Sequence, residues 1–143
     1  MDCDSDDCHE LKSRLEEMCI QTHLRSRQSG SGSDWQIVTR IAIEELEAWY
    51  FGDWQAVRKA YPNVSPNIPG RARYRNPDAI TGGTWEAFER VLQKKGYFRN
   101  GLAKLQAAEN IGEHINPTVN TSHSFKVFRE ALNDAVVIAQ TTG

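Results

Sequence analysis

WQIVTRIAI, residues 35–43, runs directly into EELEAWYFGDWQAVRKAY, residues 44–61, and the folding of that junction decides the architecture. The first nine residues are rich in β-branched side chains and short enough for a buried strand, because branching at Cβ suits a pleated surface. In the stretch that follows, Leu46, Trp49, Tyr50, Trp54 and Val57 recur at helical spacing, with a break at Gly52. Strand then helix predicts an α/β unit. No second complete strand is legible, and one strand cannot make a sheet. The expected fold is therefore α/β but helix-rich, with only a partial sheet. Asp2-Cys3-Asp4, directly ahead of a helical pattern, reads as the last turn of a strand whose body would lie upstream.

Working outward, Cys8, Leu11, Leu15, Met18 and Cys19 recur at three- and four-residue steps between charged residues, which predicts an amphipathic helix. Ser5, Asp6 and Asp7 suit its N-cap and first turn. RSRQSGSGSD, residues 25–34, has no apolar anchor and reads as a mobile surface connection. Residues 62–83 hold Pro62, Pro66, Pro69 and Pro77 and predict a long irregular excursion of the kind that binds ligands. Three further helices are predicted, over Trp85 to Lys95, Gly101 to His114 and Phe125 to Ala139.

At 143 residues and 39% hydrophobic, the chain fits a single domain over 1–143. Lys plus Arg total 17 against 19 acids, so a net charge of −2 excludes a protein that coats nucleic acid by overall charge. The charge is nevertheless uneven. Residues 1–20 are strongly anionic, whereas Arg71, Arg73 and Arg75 make the later excursion basic. No apolar run is long enough to span a bilayer and no signal peptide is legible, so a cytoplasmic protein without a membrane segment is expected. Cys3, Cys8 and Cys19 are odd in number and crowded at one end, which predicts free thiols rather than a disulfide framework.

Three constellations could carry chemistry. Asp2 and Asp4 share one side of an extended segment, a geometry that can hold Mg²⁺ while phosphate oxygens complete its shell; the same acids also suit a plain acidic terminus. Glu44, Glu45 and Glu47 follow the predicted strand, where α/β folds place ligand groups, but first-turn acids also favour the helix dipole. Glu47 stands out because Leu46 and Trp49 bracket it with apolar bulk. Arg71, Arg73 and Arg75, with Lys94, Lys95, Arg99 and Lys104 around Tyr97 and Phe98, suit phosphate contact and base stacking; a solvated loop accounts for them equally. Ser122 or Ser124 is expected as a helix N-cap rather than as a hydrolase nucleophile, since no nucleophile-elbow motif surrounds them. Zinc on Cys8, His9, Cys19 and His23 lacks the usual paired spacing.

DCDSDDCHELKSRLE, RIAIEELEAWYFGDWQAV and GGTWEAFERVLQKKGYFRNGLAKLQAAENIGEHINPTVNTSHSFKVF, in that order, resemble the bacterial domain-of-unknown-function 4276 family over nearly the whole chain. The family's acidic motifs in turn resemble a Toprim (topoisomerase–primase) fold, in which an upstream Glu, a DxD pair and later acids bind Mg²⁺ for phosphodiester chemistry. On that resemblance Asp2 and Asp4 match the DxD, and Leu46-Glu47-Ala48-Trp49 matches a later apolar-Glu-x-Trp step, with Glu44 and Glu45 as alternatives. It implies catalytic Asp2, Asp4 and Glu47, a metal set of Asp2, Asp4, Glu44 and Glu47 for Mg²⁺ or Mn²⁺, and nucleic-acid contacts from Arg71, Arg73, Arg75, Arg99 and Lys104. A nuclease component of a phage-defence module, working beside a partner ATPase, is the implied function. A Toprim-like core would carry its first strand and catalytic Glu ahead of the DxD. The resemblance thus implies the C-terminal portion of such a protein, with little or no activity by itself. The rival reading is a helical docking module that binds the ATPase or self-associates into a homo-oligomer.

Overall fold

A computed structural model describes residues 7–30, 32–41 and 45–141. Among them run six α-helices: α1 (Cys8–Gln21), α2 (Glu47–Gly52), α3 (Trp54–Ala60), α4 (Thr84–Gln93), α5 (Lys104–Gly112) and α6 (His123–Thr141). Two 3-10 turns, Ala72–Tyr74 and Pro77–Ala79, punctuate the proline-rich stretch. No helix among the described residues is long and apolar enough to cross a membrane.

The expected α/β fold with a partial Toprim-like sheet is overturned, because the described residues are helical and form no strand. Residues 35–41 are irregular, and their one β-pairing is an isolated parallel bridge between Ser26 and Ile37. The Arg27 N–H donates to the Ile37 carbonyl at 2.9 Å, and the Ile37 N–H to that of Arg25 at 3.3 Å. β-Branched residues favour an extended backbone, but a strand exists only where neighbours take up its N–H and C=O groups. One bridge does not supply them.

Phe51 is the centre of the core. It stacks on Trp54 at 5.5 Å and on Tyr74 at 5.2 Å between centroids, and meets the ring of Phe88 edge-on at 5.7 Å. Each such pair adds about 0.5–1.5 kcal/mol beyond its buried area. Val57, Phe88, Leu92 and Ile111 close around these rings from α3, α4 and α5. The proline-rich excursion belongs to this core as well, since Val64, Ile68, Tyr74 and Ile80 are all buried. It is a wall of the domain, with Arg71, Arg73 and Arg75 exposed on its outer side.

The break expected at Gly52 is where α2 ends, and its cause is a close approach. A Cβ at Gly52 would lie 2.1 Å from Asn120 Oδ1 and 2.9 Å from the backbone N of Ser122. Asn120 Nδ2 donates to the Trp49 carbonyl at 2.9 Å and the Thr121 N–H to that of Gly52 at 2.9 Å, so residues 120–122 lie directly on α2. From there α6 sets out with Phe125 and Phe128 at 5.2 and 5.1 Å from the Trp49 ring.

The amino-terminal part attaches differently. Asp7 caps α1 as expected, accepting from His9 N at 2.7 Å and Glu10 N at 3.1 Å. Only Leu11 and Cys19 of α1 are buried. Its main anchor is polar: the Glu16 carboxylate accepts from the hydroxyls of Ser26 and Thr39 and pairs with Lys12 at 3.3 Å. Burial pulls the Glu16 carboxyl upward, but those hydroxyls and the ammonium outweigh it and hold it below its ordinary value. Ser26 is 1% exposed, so the segment expected to be mobile is fastened at its start. Cys19 is a free thiol, whereas Cys8 is disulfide-bonded, which corrects the expectation of free thiols throughout.

Candidate functional site

Glu47 is the first residue of α2, and its position inverts the sequence pattern around it. Leu46 faces outward at 37% exposed while Glu47 is only 5% exposed. Burying an ionised carboxylate costs several kcal/mol unless charge or hydrogen bonds compensate, so such a group marks a site worth inspecting. Lys104, at the start of α5, brings its Nζ to 3.9 Å from Glu47 Oε1 and lies 4.9 Å over the ring of Trp85. Burial, reinforced by the charge of Glu47, pushes the Tyr50 phenol up to about 12.

Two more carboxylates gather where α4 begins. Glu45 Oε2 accepts from the Trp85 N–H at 2.6 Å, satisfying one of the amides that a helix start leaves without an internal partner. Glu86 folds back over Gly83, where an added Cβ would sit 1.7 Å from its Oε2; Gly83 also has φ +81°, the left-handed region. Glu86 Oε2 and Thr84 Oγ1 are both buried without a hydrogen-bond partner. The junction of α2 and α4 is therefore rich in oxygen and holds one lysine.

Hard oxygen donors of this kind suit Mg²⁺ or Mn²⁺ in chemistry. In number the described residues fall short, since no three His, Cys, Asp or Glu among them are arranged to hold a metal ion. Of the expected set, Glu47 is described, whereas Asp2, Asp4 and Glu44 lie outside the described residues. The donor type fits the cation, and Glu47 presents it from a buried position.

The basic residues divide. Arg71, Arg73 and Arg75 are exposed around the first 3-10 turn, which buried Tyr74 pins to the core. Arg73 Nη2 donates to the Thr81 carbonyl at 3.2 Å, and its guanidinium lies 5.8 Å from the Tyr74 ring centre. Arg99 is exposed beyond α4. Lys104 alone of the expected nucleic-acid contacts is placed against the acids.

Sequence reading missed Glu86 and Asp78. Asp78 accepts from Ser122 Oγ at 2.8 Å, Ser124 Oγ at 2.7 Å and the His123 N–H at 2.6 Å. Both hydroxyls donate to the carboxylate and Ser122 Oγ also accepts from the Phe125 N–H at 3.2 Å, so this cluster is the cap of α6 rather than a hydrolase set. Acids near serines in an irregular stretch give no periodic signal that could have revealed it.

The family model described as Domain of unknown function (DUF4276) matches residues 2–133 of the chain. No curated protein and no solved structure matches it.

Proposed function

The chain belongs to the DUF4276 family, and from that premise we propose that it serves cation-dependent phosphodiester chemistry as a nuclease component, with Asp2, Asp4, Glu44 and Glu47 as oxygen ligands for Mg²⁺ or Mn²⁺. The burial of Glu47 carries this reading: a carboxylate 5% exposed at a helix start, with the ammonium of Lys104 3.9 Å away, is an anion that a divalent cation would stabilise. A bound cation supplies Lewis acidity toward the phosphodiester. Glu47 places its carboxylate in the interior, and Lys104 limits the excess of negative charge. Arg71, Arg73, Arg75 and Arg99, all exposed, supply guanidinium contacts to the phosphates of a nucleic-acid strand.

A second reading, docking onto a partner ATPase or a second copy of the chain, is favoured by α6, where Leu132, Val136 and Val137 are each more than half exposed.

Thermal unfolding with millimolar Mg²⁺ or Mn²⁺ separates the two. A ligand at about 100 times its dissociation constant stabilises the native state by about 2.7 kcal/mol. The expected result is a metal-dependent rise in Tm that Glu47→Gln and the pair Asp2→Asn, Asp4→Asn each abolish. A flat Tm together with no cleavage of single- or double-stranded oligonucleotides overturns the metal reading and leaves the docking one.

A further inference from the structure

Residues 54–101 carry nine Lys and Arg against three acids, in a chain whose net charge is −2. The ion pairs among the described residues draw on Lys12, Arg25, Arg27 and Lys104, so all nine cations stand outside them. The three acids are engaged elsewhere. Asp78 holds the head of α6, Glu89 Oε1 accepts from the Leu102 N–H at 2.6 Å, and Glu86 folds over Gly83.

Part of this charge converges where α3 and α4 end. The Tyr61 and Tyr97 rings meet edge-on at 4.9 Å between centroids, and the Asn63 N–H donates to the Tyr97 hydroxyl at 3.2 Å, which joins the two helix ends. Lys59 of α3 thereby shares one end of the domain with Lys94 and Lys95. Arg99 Nη2 folds back to 3.5 Å from where a Cβ at Gly96 would stand. All four cations are exposed, and Tyr97 and Phe98 are half-buried. Phe98 has φ +50°, a left-handed conformation that a bulky residue rarely adopts; Gln93 Nε2 donates to its carbonyl at 3.2 Å and its ring meets Tyr61 at 5.5 Å, which holds it there. The negative ends of two helix dipoles offset part of the repulsion among the cations, so the cluster persists without acids.

We propose that this surface binds single-stranded nucleic acid, with Lys59, Lys94, Lys95 and Arg99 on the phosphates and the Tyr97 and Phe98 rings against an unstacked base. Aromatic rings at a protein surface reach base faces only where the bases are free of a duplex, which selects a single strand over a double one. The proposal rests on the nucleic-acid part of the reading above, shares Arg99 with it, and names the strand as single. It is independent of the metal, and its test is made in EDTA so that the two can fail separately.

Fluorescence anisotropy of the folded chain uses a labelled oligothymidylate, an oligouridylate and a DNA duplex of the same length, with inorganic polyphosphate as competitor. Both single strands are expected to bind more tightly than the duplex, and the tighter of the two identifies DNA or RNA as the source. Each phosphate contact on a single strand adds about 0.7 to the salt slope, so four contacts predict a loss of about fiftyfold between about 50 and about 200 mM salt. Lys94→Gln with Lys95→Gln removes two of them and should cut that loss to about sevenfold. Tyr97→Leu should weaken binding about tenfold while Tyr97→Phe, which keeps the ring, leaves it nearly unchanged. Tm reports the folding of each variant, and the exposed lysine pair serves if Tyr97→Leu is destabilised. Duplex bound as tightly as the single strands, polyphosphate competing as well as an unlabelled strand, no binding at about 50 mM salt, or a salt slope that the lysine pair leaves unchanged overturns the proposal.

Discussion

Replacing Asp78 by alanine removes one carboxylate from three donors, and the cost can be worked from their geometry. The Ser122 and Ser124 hydroxyls and the His123 N–H sit 2.8, 2.7 and 2.6 Å from its oxygens. A hydrogen bond to a charged partner contributes about 1.5–3 kcal/mol, but three donors sharing one half-buried acceptor are not additive. The two hydroxyls can bond each other across 3.1 Å, and Ser124 Oγ keeps the Trp49 indole N–H at 2.9 Å. The amide of His123 is left to water. A net loss of about 2–3 kcal/mol follows, equivalent to a fall of about 5–10 °C in Tm for a domain of this size. Urea unfolding followed by tryptophan fluorescence should show a lower midpoint with an unchanged slope. Asp78→Asn retains one acceptor oxygen and should lose about half as much. A loss below about 0.5 kcal/mol in the alanine variant, the range of ordinary surface substitutions, would refute the assignment of Asp78 as the anchor of α6.

Two further perturbations probe the same packing. Gly52→Ala places a methyl 2.1 Å from the buried Asn120 carbonyl oxygen; overpacking of this kind costs about 1–3 kcal/mol, and Asn120→Ala should recover part of it in a double-mutant cycle read by urea unfolding. The Tyr50 phenol ionises in the unfolded chain near its ordinary value of 10 but in the fold only at about 12. Its contribution is fully present below pH 10 and is lost as pH rises toward 12, so alkaline melts should show a decline that Tyr50→Phe reduces.

The helices were legible because each repeats its apolar residues at a period that a window of sequence contains. Cys8 to Cys19, Trp85 to Lys95 and Phe125 to Ala139 were expected as helices and appear as α1, α4 and α6. The strand was misread because a β-branched run states only what a residue tolerates, whereas a sheet depends on partners distant in the chain. Ile37 found a single bridge. The anchors of the proline-rich stretch, Val64, Ile68, Tyr74 and Ile80, follow no period and could not be recognised as core. Glu47 was legible as an acid amid apolar bulk, but the inward turn of the charge and the outward turn of Leu46 were not.

The central cluster of buried residues runs from Tyr50 to Ile111, with no contributor from α1 or α6. Stability is therefore unevenly shared along the chain. The amide protons of α4 can reach solvent only by dismantling the aromatic centre, so their exchange reports global unfolding. Those of α1, held by Leu11, Cys19 and the Glu16 carboxylate, should exchange faster, through a partial opening that leaves the centre intact. Because acid protonates Glu16 and weakens the attraction that fastens α1, opening of that helix should become easier as pH falls through the lowered Glu16 value, while the aromatic centre stays closed.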